Sequence, residues 1–252
     1  MTTVDHQAAV ATETAAFVAA VRAADLATEV PTCPGWTLAD LTRHAGSAQR
    51  WFSGLLTRRV QERPTSREVE LDLPDTDAGL PDWLTASAEV AAAAFAATAP
   101  ETPMWVWGGP DHHARFWARR MLFETLVHRV DAQLAVGVKP SIDPALAADG
   151  VAEFLTNLPD AGFFAPGIAN LRGTGETIRF ARTDGPESWL VQLRADDFGL
   201  VPEDGAEPQA TISGTAADLL LLLYRRVPAD APTVRTTGDQ ELLTRWFEHS
   251  QF

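Results

Sequence analysis

Glu124 and His128 stand four residues apart in a stretch, residues 115–135, whose apolar positions recur at helical spacing. On a helix that spacing aims a carboxylate and an imidazole in the same direction, one turn apart, which is how a helix presents two metal ligands. A third candidate, His44, falls in an earlier helical pattern over residues 37–57. Packing the two helices side by side would close a His, Glu, His site, and the economical reading is a catalytic metal centre. The pair also has a plainer reading, because Glu and His at i, i+4 commonly make surface hydrogen bonds. On that reading His44 is a core-edge histidine capped by a carbonyl, and Asp131 is an exposed charge beside Arg129.

Four helical segments must hold these residues. Residues 4–27 form a first helix, and Thr37 followed by Asp40 is a capping pair that opens the second. The apolar stripe of the second helix runs Leu38, Leu41, Ala45, Ala48, Phe52, Leu55. A polar, proline-containing stretch, 61–81, leads to an alanine-rich third helix over 82–98. The fourth helix, 115–135, stops before Gly137 and Pro140. Its stripe of Phe116, Phe123, Val127, Val130 and Leu134 lies beside a second one of Trp117, Met121, Glu124, His128 and Asp131. Four helices of this length predict a bundle.

The second half has a different texture. Residues 177–181 and 189–193 around Asp184-Gly185-Pro186 read as a hairpin, 208–212 as a further strand, and 234–236 as a short one. Helices are expected at 144–158, 215–226 and 239–249. The fold class is therefore α+β, a four-helix bundle over 1–139 followed by a small α+β domain over 140–252, joined near 138–144.

Composition bounds the partners. The net charge of −14 argues against nucleic acid, whose phosphates need a basic face. Only Lys139 among the 20 basic residues is a lysine, so any anion site will be built from arginine, whose planar fork suits carboxylates. No apolar run approaches the roughly 20 residues that span a bilayer, and residues 1–6 show no secretory pattern. One cysteine, Cys33, permits no internal disulfide and fits a reducing cytoplasm.

Two stretches carry a family resemblance. Val30-Pro-Thr-Cys-Pro-Gly-Trp-Thr-Leu-Ala-Asp-Leu-Thr-Arg-His44 closely resembles the opening signature of the mycothiol-dependent maleylpyruvate isomerases, and Phe116-Trp-Ala-Arg-Arg-Met-Leu-Phe-Glu124-Thr-Leu-Val-His128-Arg-Val-Asp131 resembles their second. The resemblance implies a bundle like that of the DinB metalloproteins and a C-terminal domain similar to sterol-carrier folds. It also implies that His44, Glu124 and His128 are metal ligands and that an arginine of the C-terminal domain takes part in catalysis. Arg225, Arg226 and Arg235 are the candidates, each of which reads singly as a solvated helix-end or surface arginine. Two neutral imidazoles and one carboxylate leave a divalent ion, expected to be zinc, with net charge of about +1 and an open position. A thiol entering there loses its proton, so the protein need not supply its own cysteine.

Cys33 precedes the Pro34-Gly35 turn signal and the cap at Thr37, and is read as a small packed residue, not a catalytic thiol. Trp36 is read as a core anchor. The segment Trp105-Val-Trp107-Gly-Gly-Pro-Asp-His112-His113 could line the mouth of a pocket and move protons. Arg115, Arg119 and Arg120 open the metal-bearing helix, and each taken singly reads as a solvated helix-end arginine.

The expected function is a soluble, cytoplasmic, metal-dependent enzyme that uses a small-molecule thiol, mycothiol by resemblance, on a small electrophilic substrate. In an isomerase the thiolate adds to an activated double bond, the new single bond rotates and elimination returns the trans alkene; in a transferase the adduct is released. Two other classes stay open: a metal-dependent hydrolase or lyase that activates water, and a non-catalytic protein that binds a small ligand in its C-terminal domain.

Overall fold

The computed structural model describes residues 4–64, 69–203 and 205–251. Part of the polar stretch at 61–81, residues 65–68, lies outside the described residues, as do residues 1–3 of the N-terminal segment. The chain divides into two compact units. One runs to Val106 and resumes over Asp111–Ser141; the other takes Trp107–Pro110 together with Ile142 onward.

The first unit is built on four helices, α1 (His6–Val21), α2 (Leu38–Arg58), α3 (Leu80–Ala97) and α4 (Ala114–Ala135). Helix α1 packs on α3 and α4, and α2 likewise on α3 and α4, so each helix has two neighbours. α1 is shorter than the expected 4–27. The segment after Arg22 sets its end: Ala27 N–H bonds the Asp25 carboxylate in a side-chain turn, and Leu38 and Ala39 donate back to the carbonyls of Thr28 and Leu26. These bonds tie the incoming chain to the start of α2. The capping box at the head of α2 is complete, with the Asp40 N–H bonded to the Thr37 hydroxyl and the Thr37 N–H bonded to the Asp40 carboxylate. α3 begins two residues before the expected start because Pro81 fits the first turn, where its missing N–H costs nothing.

α4 departs from the two-stripe reading. Trp117, Met121, Leu122, Phe123, Leu126 and Val130 are all fully buried, and so are the flanking Thr125 and Asp131. With so much of the helix covered, polar side chains on it must find partners inside the protein. It ends in a left-handed cap: Gly137 has φ +72°, its N–H bonds Leu134 O, and the next N–H, from Val138, reaches Gln133 O. Glycine takes that backbone conformation without the steric cost a side chain would meet.

The second unit holds a five-stranded sheet in the order β3-β2-β1-β4-β5, with strands β1 (Thr177–Arg182), β2 (Ser188–Leu193), β3 (Phe198–Val201), β4 (Ala210–Gly214) and β5 (Arg235–Gly238). The expected hairpin is there: β1 and β2 pair antiparallel with Ala181 opposite Ser188. β1 also pairs parallel with β4, Phe180 beside Ile212. Alternate residues face one core, in which Ile178, Phe180 and Ile212 are inaccessible to solvent. Helices α5 (Pro144–Asn157), α6 (Ala216–Leu223) and α7 (Gln240–His249) cover that core, with Phe154 and Leu220 buried and Trp246 packed 5.3 Å from the Phe180 ring. Trp107 stacks edge-on against Phe164, at 5.4 Å, within this unit.

No helix among the described residues is long and apolar enough to cross a membrane.

Candidate metal centre

The loop that enters α2 starts the site. Cys33-Pro34-Gly35-Trp36 is a turn closed by Trp36 N–H to Cys33 O, with Gly35 at φ +82°. Proline and then glycine at the two central positions are what a type II turn requires. The turn is held to its own start by Val30 N–H to Trp36 O. It delivers Thr37 to cap α2, and two turns along α2 comes His44.

His44 meets α4 at Glu124: its Nε2 donates to Oε1 across 2.9 Å. His128, one turn farther along α4, brings its own Nε2 to 3.5 Å from the same Oε1. The three ligand atoms lie within 4.8 Å of one another. Zinc ligands at about 2.1 Å stand roughly 3.4 Å apart around a tetrahedron, so one ion can reach all three after the shared protons leave. Two imidazoles and one carboxylate are a donor set for a divalent ion with positions left open. The residues present therefore fit a metal. The sides of the site differ in exposure: His44 keeps 40% of its side chain exposed and His128 only 13%. Trp36 stands against both rings, 5.0 Å from His44 and 6.3 Å from His128.

The electrostatics match a cation site. Burial alone would push the Glu124 carboxyl up, but hydrogen bonds from His128 and His44, with the Arg120 charge, outweigh it and hold the group well below the ordinary carboxylate value. Burial would likewise lower His128; hydrogen bonds to Asp131, Cys33 and Glu124 outweigh it and hold the imidazole well above its usual value. Without an ion, a proton on His128 supplies positive charge between the Glu124 and Asp131 carboxylates.

At Asp131 the plainer of the two sequence readings fails. It is no exposed charge beside Arg129 but has 0% exposure, and its carboxylate accepts from His128 Nδ1 at 2.9 Å, Thr32 Oγ1 at 2.6 Å and Cys33 Sγ at 3.4 Å. Arg129 turns elsewhere, to Glu13 at 2.7 Å. Arg120 is also not a solvated helix-end arginine; it is buried and donates to Glu124 Oε2 at 3.1 Å. Sequence reasoning overlooked the parts played by Thr32, Asp131, Arg120 and the wall formed by Trp36. The available signals were the i, i+3 step from His128 to Asp131 and the i, i+4 step from Arg120 to Glu124, both of which place the pairs on one helix face.

The loop histidines are not brought to this site. His113 stands at the N-cap position of α4 without a side-chain capping bond and bonds Asp111 at 2.8 Å, and the eleven-residue rise to Glu124 is roughly 16 Å of helix. His112 is exposed. Arg115 pairs with the same Asp111 carboxylate at 2.6 Å. Gly109 has φ +65° and donates to Asp160 at 2.9 Å within the second unit. Among the C-terminal arginines, Arg225 follows α6 in the left-handed region at φ +62°, Arg226 donates to Tyr224 O, and Arg235 lies exposed on edge strand β5.

Residues 7–133 match the family model of the mycothiol maleylpyruvate isomerase (MDMPI) N-terminal domain, and residues 145–245 match the MDMPI C-terminal domain. The chain belongs to the mycothiol maleylpyruvate isomerase family. The fold of this family member is that of a solved structure of the mycothiol-dependent maleylpyruvate isomerase, which is 13% identical, with 93% of each chain covered and a TM-score of 0.62. A mutant form of that isomerase gives 0.64 over the same coverage and at the same identity. At this identity the likeness shows the fold alone. No curated protein matches the sequence. Both signature stretches of this MDMPI family member, residues 30–44 and 116–131, fall inside the N-terminal match, and they contain every residue of the cluster around His44, Glu124 and His128.

Proposed function

We propose that the chain is a metal-dependent, thiol-using enzyme of the isomerase or S-transferase type, with mycothiol as the thiol and a small activated alkene as substrate. The observation that carries this reading is the convergence of His44, Glu124 and His128 on one point, with His44 on the more exposed side. Family membership supports the choice of thiol and of reaction class.

His44, Glu124 and His128 would hold the ion, with zinc the expected metal. When bound, a divalent cation with an open position lowers the pKa of a thiol placed there and so supplies a thiolate at neutral pH. The chain's own residues prepare the place. Asp131 keeps a proton on His128 Nδ1 and leaves Nε2 facing the site. Arg120 holds the second oxygen of Glu124. Trp36 walls off one side with an apolar ring. In the substrate, a bond forms between sulfur and the activated carbon as the double bond opens. Rotation and loss of the same sulfur give the trans isomer, whereas protonation with the carbon–sulfur bond kept gives S-transfer.

An arginine of the C-terminal unit completes the reading as the group that orients an anionic substrate. Arg225, Arg226 and Arg235 are the candidates, and the left-handed backbone at Arg225 favours it, since an uncommon backbone conformation kept at a non-glycine residue is a cost that function can explain.

The test is an isomerisation assay with maleylpyruvate, with and without mycothiol, on the zinc-loaded full chain. Thiol-dependent turnover that vanishes in Glu124→Gln is the expected result. Turnover of ester or amide substrates in thiol-free buffer would replace this reading with water activation, and ligand variants without effect on any activity would favour a binding protein.

A further inference from the structure

We propose that Asp131 is a positioning residue for the metal ligand His128, and that the Thr32-Cys33 turn is what holds Asp131 in its working orientation. The inference rests on the metal reading above and concerns residues outside the ligand set.

The two nitrogens of the His128 ring face different partners. Nδ1 lies 2.9 Å from Asp131 Oδ2, and Nε2 points toward Glu124 and His44. A carboxylate can only accept, so Nδ1 carries hydrogen, and the nitrogen that can lose its proton to become a ligand is Nε2. Fixing the tautomer in this way removes one unproductive form of the ligand and makes the remaining nitrogen more basic.

An aspartate three residues along a helix from a histidine does not by itself hold the ring, because its carboxyl group is free to rotate. Asp131 is restrained at both oxygens. Oδ1 accepts from Thr32 and Oδ2 from Cys33 and His128, the first two donors arriving from a turn nearly a hundred residues earlier in the chain. The carboxylate has no exposure at all. A buried carboxylate is costly unless its oxygens are satisfied, and these donors help meet that need. The same turn places Trp36 against both imidazoles and leads directly into the cap of α2, which carries His44. One short segment is thus tied to both histidine ligands, to one through the helix it starts and to the other through Asp131.

Asp131 and Arg120 also form a matched set. Each is buried, each orients one ligand of α4, and their charges are opposite. Together they fix two ligands without changing the net charge of the centre, which stays at about +1 for a divalent ion with one carboxylate ligand.

The alternative is that Asp131 merely fastens the turn to α4. Zinc affinity of the full-length protein, measured by competition with a chromophoric chelator, and the ring-nitrogen NMR shifts of His128 separate the two. Asp131→Ala removes both acceptor oxygens, so nothing is left to hold hydrogen on His128 Nδ1. The expected result is zinc binding weaker by about 10- to 100-fold, with His128 shifted to the Nε2–H tautomer in the metal-free protein at alkaline pH. Thr32→Val is expected to weaken zinc several-fold and Thr32→Ser to restore it. A folded Asp131→Ala protein with wild-type affinity, or with weaker affinity and an unchanged tautomer, overturns the positioning role. If that variant does not fold, Thr32→Val decides, and wild-type affinity and tautomer there overturn the proposal equally. Failure of the wild-type protein to bind any divalent ion would instead sink the metal reading itself, and this inference with it.

Discussion

His44 Nε2 and Glu124 Oε1 meet at 2.9 Å although 80 residues separate them in the chain. That contact joins α2 to α4 and turns an ordinary i, i+4 pair on one helix into a three-residue cluster. His44→Ala is expected to abolish tight zinc binding and to lower the stability of the metal-free protein by about 1–3 kcal/mol, the usual cost of losing a hydrogen bond to a charged group. Metal analysis alongside chemical denaturation checks both halves. Retention of one equivalent of tightly held zinc would remove His44 from the site.

Cys33→Ser is expected to keep its metal and most of its activity. Serine preserves a donor at the position from which the thiol reaches Asp131, and the proposed nucleophile comes from solution. Loss of turnover in a folded, zinc-replete Cys33→Ser protein would make the protein's own thiol part of the mechanism.

The pH dependence has opposite signs at Glu124 and His128. Burial works against both charges but loses to hydrogen bonds, so His128 sits well above its ordinary value of 6.5 and Glu124 well below 4.5. In the metal-free protein the His128 contribution to stability is fully present below pH 6.5 and fades as pH rises through its raised folded value. That of Glu124 is present above 4.5 and fades as pH falls through its lowered one. Zinc must displace the His128 proton, so the stabilisation it adds grows with pH until that proton is gone. Thermal melts across pH, with zinc and with chelator, should show the gap between the two curves widening toward alkaline pH. A constant gap would contradict the competition.

Arg225→Gly should raise stability and lower turnover together. The backbone there has φ +62°, a region glycine enters freely, so the substitution is expected to stabilise the end of α6 by roughly 0.5–1 kcal/mol. If Arg225 orients the substrate, kcat/KM falls at least about tenfold with zinc content unchanged. A gain in stability with full activity would shift the role to Arg226 or Arg235.

Much of this was legible along the chain because its causes are local. The Thr37 and Asp40 cap, the Pro34-Gly35 turn, the stop at Gly137 and the hairpin between β1 and β2 each depend on neighbours a few residues away. So does the spacing of Glu124 and His128. The early end of α1 and the four-residue strand β3, with Gly199 in its middle, carry little periodicity and depend on packing partners elsewhere. The parallel pairing of β1 with β4 joins segments about thirty residues apart. The i, i+3 step from His128 put Asp131 on the same helix face, but nothing near it in sequence reveals that Thr32 and Cys33 donate to it.

The central claim is that His44, Glu124 and His128 hold a divalent ion whose open position takes an external thiol. X-ray absorption at the zinc edge, on full-length Cys33→Ser protein before and after mycothiol is added, tests it most directly. The prediction is a light-atom shell of two imidazole nitrogens and carboxylate or water oxygens near 2.0–2.2 Å, joined on addition of the thiol by one sulfur at about 2.3 Å. Absence of bound zinc, or a shell that gains no sulfur from mycothiol, would contradict it.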